Sequence, residues 1–302
     1  MRVFASAIWF FALLLSISGA CAQSNEIAPA PTRYEAYSHG LLWKIEKDGQ
    51  LASYLFGTVH AEDPAVLALA PEVKAAFKSA SAFAMEVLFD EKVAREASQS
   101  MFYRDGKKNL KLVVGDALYQ RSVAAVKSRG IAEDHVLHMK PWAVMSTLSM
   151  PPAKTGLFLD LVLLNAATTD GKERFGLESM KEQTDVFDTM SDADQIELLS
   201  RTLDEQASLD EDIANIISAY LARDLAKAAG LTESFLETLT PRVADEFRRR
   251  LITERNLTMA DRLEPLMARQ ATFAAVGAMH LPGDKGILAV LAARGYRISR
   301  VY

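Results

Sequence analysis

Two short phrases, "YLFGTVHAEDP" (residues 54–64) and "AAVGAMHLPGD" (residues 274–284), restrict the fold more than any other feature of the chain. Each runs from an apolar stretch through a glycine and two small or apolar residues to a histidine, followed closely by a proline and an aspartate. An apolar run ending in glycine reads as a buried strand delivered into a tight turn. His60 and His280 then stand in loops beyond C-terminal strand ends, where open α/β sheets place their ligands. The two histidines lie 220 residues apart, so a single site requires one sheet to gather both ends of the chain.

The surrounding pattern supplies such a sheet. "LLWKIEKDGQLASYLFG" (residues 41–57) reads as a hairpin about Asp48-Gly49, a favoured turn pair. Asp63-Pro64 reads as an N-cap with proline at the first helical position, opening a helix to about Ser79 with Val66, Leu69, Val73 and Phe77 on one face. "SAFAMEVLF" (residues 81–89) is apolar nearly throughout and reads as a buried parallel strand holding one acid, Glu86. Helical periodicity follows, with breaks near Gly106, Gly130 and Pro151. "ERFGLES" (residues 173–179) reads as a short strand, Asp192 to Lys227 as helical, and a long helix follows Pro241. The chain closes as strand, helix, strand. These elements predict an α/β (α+β) fold: a central mixed sheet from N- and C-terminal strand-turn-helix units, within a body spanning 40–302 that carries a helical insertion over about 91–265.

Residues 1–22 combine Arg2, an apolar stretch from Val3 to Leu15 and the small-residue ending Ala20-Cys21-Ala22, the pattern of a cleaved secretory leader. Residues 23–39 lack periodicity and read as a linker. The expectation is a periplasmic protein with no membrane span after cleavage; lipid attachment through Cys21 is less favoured, because Ser18 stands where an aliphatic residue is usual. Cys21 is the single cysteine, so a metal site in the mature chain would draw on His, Asp and Glu. A net charge of −5 with no basic run argues against nucleic acid as a partner.

An acid inside a buried strand needs a partner or a place at the strand's end, which puts Glu86 on the same rim as His60 and His280. Two imidazoles and a carboxylate form a divalent-metal ligand set, and equally a metal-free acid–base cluster; a structural pairing of Glu86 with a basic residue is the third alternative. In the helix after Pro241, the stripe Val243, Phe247, Leu251, Ile252, Met259, Leu263 turns Arg255 and Asn256 inward. A buried guanidinium needs an acceptor, for which Glu86, Glu178 and an anionic substrate group are candidates. His135 and His138 lack an acid in phase and read as surface residues. No G-x-S-x-G elbow or glycine-rich phosphate loop is present.

"GTVH", the acid of "AMEV", "FGLES" with Gln183, "ERN" (residues 254–256) and the closing "VGAMHLPGDKGILAVLAARGY" together resemble the TraB/GumN family, to which the Tiki proteins are related. Ala278 and Met279 depart from the family's more usual second glycine. The resemblance implies catalytic residues His60, Glu86 and His280, with Arg255 and Asn256 beside them, and a divalent ion on His60, Glu86 and His280, with manganese, cobalt and zinc as candidates. It implies a metal-dependent hydrolase, a peptidase acting on a peptide or protein substrate. The alternative is a non-catalytic periplasmic protein that binds a peptide or small ligand in the same cleft. Oligomeric state is left open.

Overall fold

The structure, a computed structural model, describes residues 32–151 and 154–302. The expected leader, Cys21 and the first part of the linker lie outside the described residues. The described residues hold six strands: β1 (Leu42–Glu46), β2 (Ser53–Thr58), β3 (Ala82–Met85), β4 (Glu173–Gly176), β5 (Thr272–Gly277) and β6 (Arg297–Arg300). They form one mixed sheet in the order β4-β3-β5-β2-β1-β6. The hairpin β1–β2 and the pair β1–β6 are antiparallel, whereas β2, β5, β3 and β4 run parallel. β3 and β5 are buried along their whole length, as strands covered on both faces must be, which explains their unbroken apolar sequence.

The two phrases occupy neighbouring parallel strands, with Gly57 opposite Val276 and Thr58 opposite Gly277. Their strand ends therefore emerge side by side. Gly57 is required by close approach: a Cβ there would come 2.8 Å from Leu281 Cδ1 and 3.0 Å from Ala278 Cα. Gly57→Ala should cost about 1–3 kcal/mol by overpacking, read as a lowered urea midpoint. An unchanged midpoint would mean that the Ala278–Leu281 turn yields without strain.

The sheet core gathers Phe56, Phe273, Phe77 and Phe83, each ring in contact with the next. A second core, built within the helical middle, centres on Trp142, Phe187 and Phe247. Two expected helices are interrupted. The one predicted from Pro64 to Ser79 is two, Pro64–Leu67 and Pro71–Ser79, because Pro71 denies the α conformation to the residue before it. Asp63 caps the first as predicted, accepting from the Ala65 N–H at 2.8 Å. The stretch read as helical from Asp192 to Lys227 contains Asp192–Asp204 and Leu209–Leu221 and the start of Leu225–Leu236.

The helix after Pro241 changes winding, from α over Pro241–Arg248 to a π turn over Arg249–Glu254 and back to α over Arg255–Arg269. Val243, Phe247, Leu251, Arg255, Met259 and Leu263 recur every fourth residue, and all are buried. In an α-helix that spacing drifts by about 40° per step, enough to carry the stripe around the helix. The wider π turn winds part of that drift back and keeps Arg255 on the inner face.

Residues 32–39, read above as the end of the linker, lie against the domain. Thr32–Tyr34 form a 3-10 turn, Ala36 O accepts from the Gly283 N–H at 2.7 Å, and Ser38 O accepts from the Leu225 N–H at 2.8 Å. No helix among the described residues is long and apolar enough to cross a membrane.

Candidate functional site

Adjacent parallel strands present their C-terminal ends at one edge, and three of them carry the predicted side chains. β2 leads through Val59 to His60, β3 ends at Met85 and passes directly to Glu86, and β5 leads into the 3-10 turn Ala278–His280. The helix Arg255–Arg269 brings Arg255 and Asn256 to the same place. All five are buried.

Glu86 is the hub. Its Oε2 accepts from Arg255 NH2 at 2.7 Å and from Gln183 Nε2 at 2.9 Å, while Oε1 accepts from the Gly277 N–H at 2.6 Å. Burial alone would push this carboxyl up, but Arg255 foremost, then His280, the Gly277 N–H and His60, hold it at about 2. It is ionised at any ordinary pH. Arg255 also grips Glu178, through Nε at 3.0 Å to Oε1 and NH2 at 2.7 Å to Oε2. Burial disfavours its charge, yet Glu178 and Glu86 together raise its pKa above the ordinary arginine value. Both protein acceptors named as candidates for Arg255 are thus engaged at once.

His280 faces Glu86 through Nε2, 3.8 Å from Oε1. Its Nδ1 lies 2.6 Å from Asn256 Oδ1, and Asn256 is oriented by Nδ2 donating to Lys285 O at 2.7 Å. With the amide so fixed, the imidazole carries its hydrogen on Nδ1 and turns the Nε2 lone pair toward Glu86, an assignment made from hydrogen bonding. Burial first and Arg255 second push the His280 pKa down to about 3, only partly offset by Glu86, so the ring is neutral.

On the opposite side His60 Nδ1 stands 3.6 Å from Asp160 Oδ2, and Thr58 Oγ1 donates to Asp160 Oδ1 at 2.9 Å. Burial pushes the Asp160 carboxyl up, with His60 opposing and Glu86 adding. Asp160, Thr58 and Gln183 were assigned no role from sequence. For Asp160 a signal existed: an acid within "LFLDLVLL" (residues 157–164) is as conspicuous as Glu86 in its strand. Tyr220, donating to Gly57 O at 2.9 Å, gave none. His135 and His138 are exposed, as expected of surface residues, with His135 Nδ1 facing Asp134 at 3.2 Å.

The donor chemistry suits a divalent ion: an ionised carboxylate, a neutral imidazole with a directed lone pair, and a second imidazole backed by a carboxylate. Among the described residues no three His, Cys, Asp or Glu side chains stand at metal-ligand geometry. Two of the three expected ligands, His280 Nε2 and Glu86 Oε1, stand 3.8 Å apart, within the roughly 4 Å that two ligands at about 2.1 Å from one ion can span.

A sequence model of the TraB/PrgY/gumN family matches residues 41–300. The protein named Metalloprotease TIKI2 of Danio rerio is 25% identical over 314 residues, an alignment covering 86% of this chain and 60% of that protein. Metalloprotease TIKI1 of Danio rerio is 24% identical, with 86% of this chain and 63% of that protein covered. Metalloprotease TIKI1 of Homo sapiens is also 24% identical, with 96% and 68% covered. The chain thus spans less than two thirds of the length of the two Danio rerio relatives, 60% and 63%. No solved structure matches it.

Proposed function

The chain belongs to the TraB/PrgY/gumN family, and from that membership and the strand-end cluster we propose that it is an exported, divalent-metal-dependent hydrolase that cleaves peptide bonds. His60, Glu86 and His280 would hold the ion. The observation that carries this reading is the geometry at the strand ends, where His280, fixed through Nδ1 by Asn256, points Nε2 at the buried Glu86 carboxylate from 3.8 Å. A general base works best with a pKa near the working pH, so these two groups are poor proton acceptors in neutral solution. Glu86 is already ionised and the His280 ring already neutral, the forms in which both groups ligate a cation. The export and the peptide bond rest on less: the leader-like residues 1–22, and relatives whose names describe metalloproteases.

When bound, a divalent ion supplies an activated water and a polarised scissile carbonyl. The chain's own residues prepare that chemistry. Arg255 and Gln183 anchor Glu86 Oε2, and the Gly277 N–H fixes Oε1, so the carboxylate cannot swing away. Asn256 sets the tautomer of His280, and Asp160 stands where it can do the same for His60. Arg255, engaged with two carboxylates, is a positioning residue in this scheme.

The test is calorimetric titration of manganese, cobalt and zinc into metal-free protein, paired with hydrolysis of a peptide library with and without chelator. Wild type should bind one ion per chain and His280→Ala at least about tenfold more weakly, with chelation abolishing cleavage. Peptide binding that survives chelation, with no cleavage under any condition, would instead establish the binding-protein reading.

A further inference from the structure

A cleft opens on the site beside His280 and Gly277, walled by Leu236, Phe247, Leu251, Ile252 and Met279. Tyr34, from the segment that precedes the sheet, also lines it. With Tyr34 in place the open space is about 30 Å³, room for about two water molecules. That space is too small for a substrate side chain, and the tyrosine ring is among the groups that fill it.

Tyr34 is held by features that a peptide ligand would need. Its hydroxyl donates to Glu233 Oε1 at 2.9 Å, and Arg33 NH2 donates to Glu233 Oε2 at 3.1 Å. Glu233 is buried beneath them and clamped by Arg248, with NH2 at 2.7 Å from Oε2 and Nε at 3.1 Å from Oε1. The main chain of the segment is held by the loop after His280: the Asp284 N–H donates to Arg33 O at 3.0 Å and the Gly283 N–H to Ala36 O at 2.7 Å. Gly283 has φ of +86°, and a Cβ there would lie 2.5 Å from Arg33 O, so this loop is shaped to let a peptide carbonyl approach. Two backbone donors beside the reactive histidine, an apolar cleft and a buried carboxylate constitute a peptide subsite.

We propose that residues 33–36 occupy in cis the substrate site of this protein, and that its substrate is a peptide presenting an aromatic side chain to the cleft with a cationic residue immediately before it. The inference rests on the reading of the neighbouring cluster as a peptidase's, and it adds both a sequence preference and a resting state in which the chain covers its own cleft. If the segment is seated more than about nine-tenths of the time, it weakens the apparent affinity of an external peptide about tenfold or more.

The experiment measures binding by fluorescence anisotropy of a labelled peptide with the sequence of residues 32–38, TRYEAYS, in the presence of chelator. Wild type, Tyr34→Phe and Tyr34→Ala are compared, together with a peptide whose first tyrosine is replaced by alanine. Tyr34→Ala should bind the parent peptide at least about tenfold more tightly than wild type. Tyr34→Phe, which keeps the ring and loses only the hydroxyl contact, should fall between them, and the alanine peptide should gain nothing. Equal affinity in all three proteins, or indifference to the peptide's tyrosine, overturns the proposal. Should Tyr34→Ala fail to fold, Arg33→Ala carries the same comparison: Arg33 is half exposed, its loss loosens the segment, and affinity should rise about threefold, with no rise overturning the proposal. Because binding is read under chelation, it does not depend on turnover: a failed affinity comparison overturns this proposal, whereas intact binding with no cleavage of the same peptide once manganese, cobalt or zinc is restored would count against the hydrolase reading alone.

Discussion

Arg255→Met should remove a large share of the protein's stability, a loss of about 3–5 kcal/mol from a total that for domains in general is about 5–15 kcal/mol. The reason is the company Arg255 keeps. Glu86 and Glu178 are both buried and both bond to its NH2 at 2.7 Å, so deleting the guanidinium leaves two carboxylates in a poorly hydrated site without their counter-charge. Methionine fills comparable volume, which keeps cavity formation from dominating the result. Arg255→Lys should recover only a minor part, since a single ammonium cannot reproduce a fork donating from Nε to Glu178 and from NH2 to both acids. The double variant Arg255→Met, Glu178→Gln should be more stable than Arg255→Met alone, because it withdraws one uncompensated charge. Urea denaturation of the four proteins decides the matter. A loss below about 1 kcal/mol in Arg255→Met would mean that water reaches these carboxylates and that the site is open where it is drawn as closed.

The residues of this network differ in how far the sequence announced them, and the difference has physical causes. His60, His280 and Glu86 could be placed because a strand's direction fixes where its end lies, and an apolar run with a glycine or a lone acid marks that end. Their convergence further required β2, β5 and β3 to be neighbours. No local pattern encodes that order, since it is decided by pairing between segments far apart in the chain, as in Tyr54 with Phe273 and Ala82 with Thr272. Asp160 shows the opposite limit. Its apolar surroundings signalled a buried acid, but a helix turns its side chains through every direction, and nothing in residues 157–164 says that this one meets Thr58 and His60. Arg255 and Asn256 were turned inward correctly on α-helical spacing, although a straight α-helix would not hold a four-residue stripe over Val243 to Leu263. The π turn at Arg249–Glu254 is the answer to that inconsistency, which was visible in the spacing itself. Residues 32–39 looked like linker because they have no periodicity. Their order comes from single contacts, Arg33 and Tyr34 with Glu233, and a carboxylate 200 positions away leaves no trace in local composition.

Acid should destabilise the protein in two stages, and the first belongs to His280. Its pKa lies at about 3 in the fold against 6.5 in an unperturbed imidazole, so below pH 6.5 the unfolded chain takes up a proton that the folded protein refuses. The stability due to the neutral ring is complete above pH 6.5 and is lost as pH falls from there toward 3, at a slope approaching about 1.4 kcal/mol per pH unit. By pH 4.5 the loss from this group is about 3 kcal/mol. The second stage is Glu86, held at about 2 against 4.5; its contribution is intact above pH 4.5 and is lost between there and 2. Asp160 acts in the opposite sense. Burial raises its carboxyl, so the fold binds that proton more readily than the unfolded chain and gains stability as pH falls through its own range. The separable quantity is therefore a difference: urea stability of wild type minus that of His280→Gln, measured from pH 7.5 to 4.5. That difference should shrink steadily below pH 6.5 as wild type alone loses the histidine's contribution, whatever Asp160 and the surface groups do in both proteins. A difference that stays constant across the range would show that His280 is protonated as readily in the fold as in the unfolded chain. The ring would then carry no directed lone pair in mildly acid solution, and the case for His280 as a metal ligand would fail there with it.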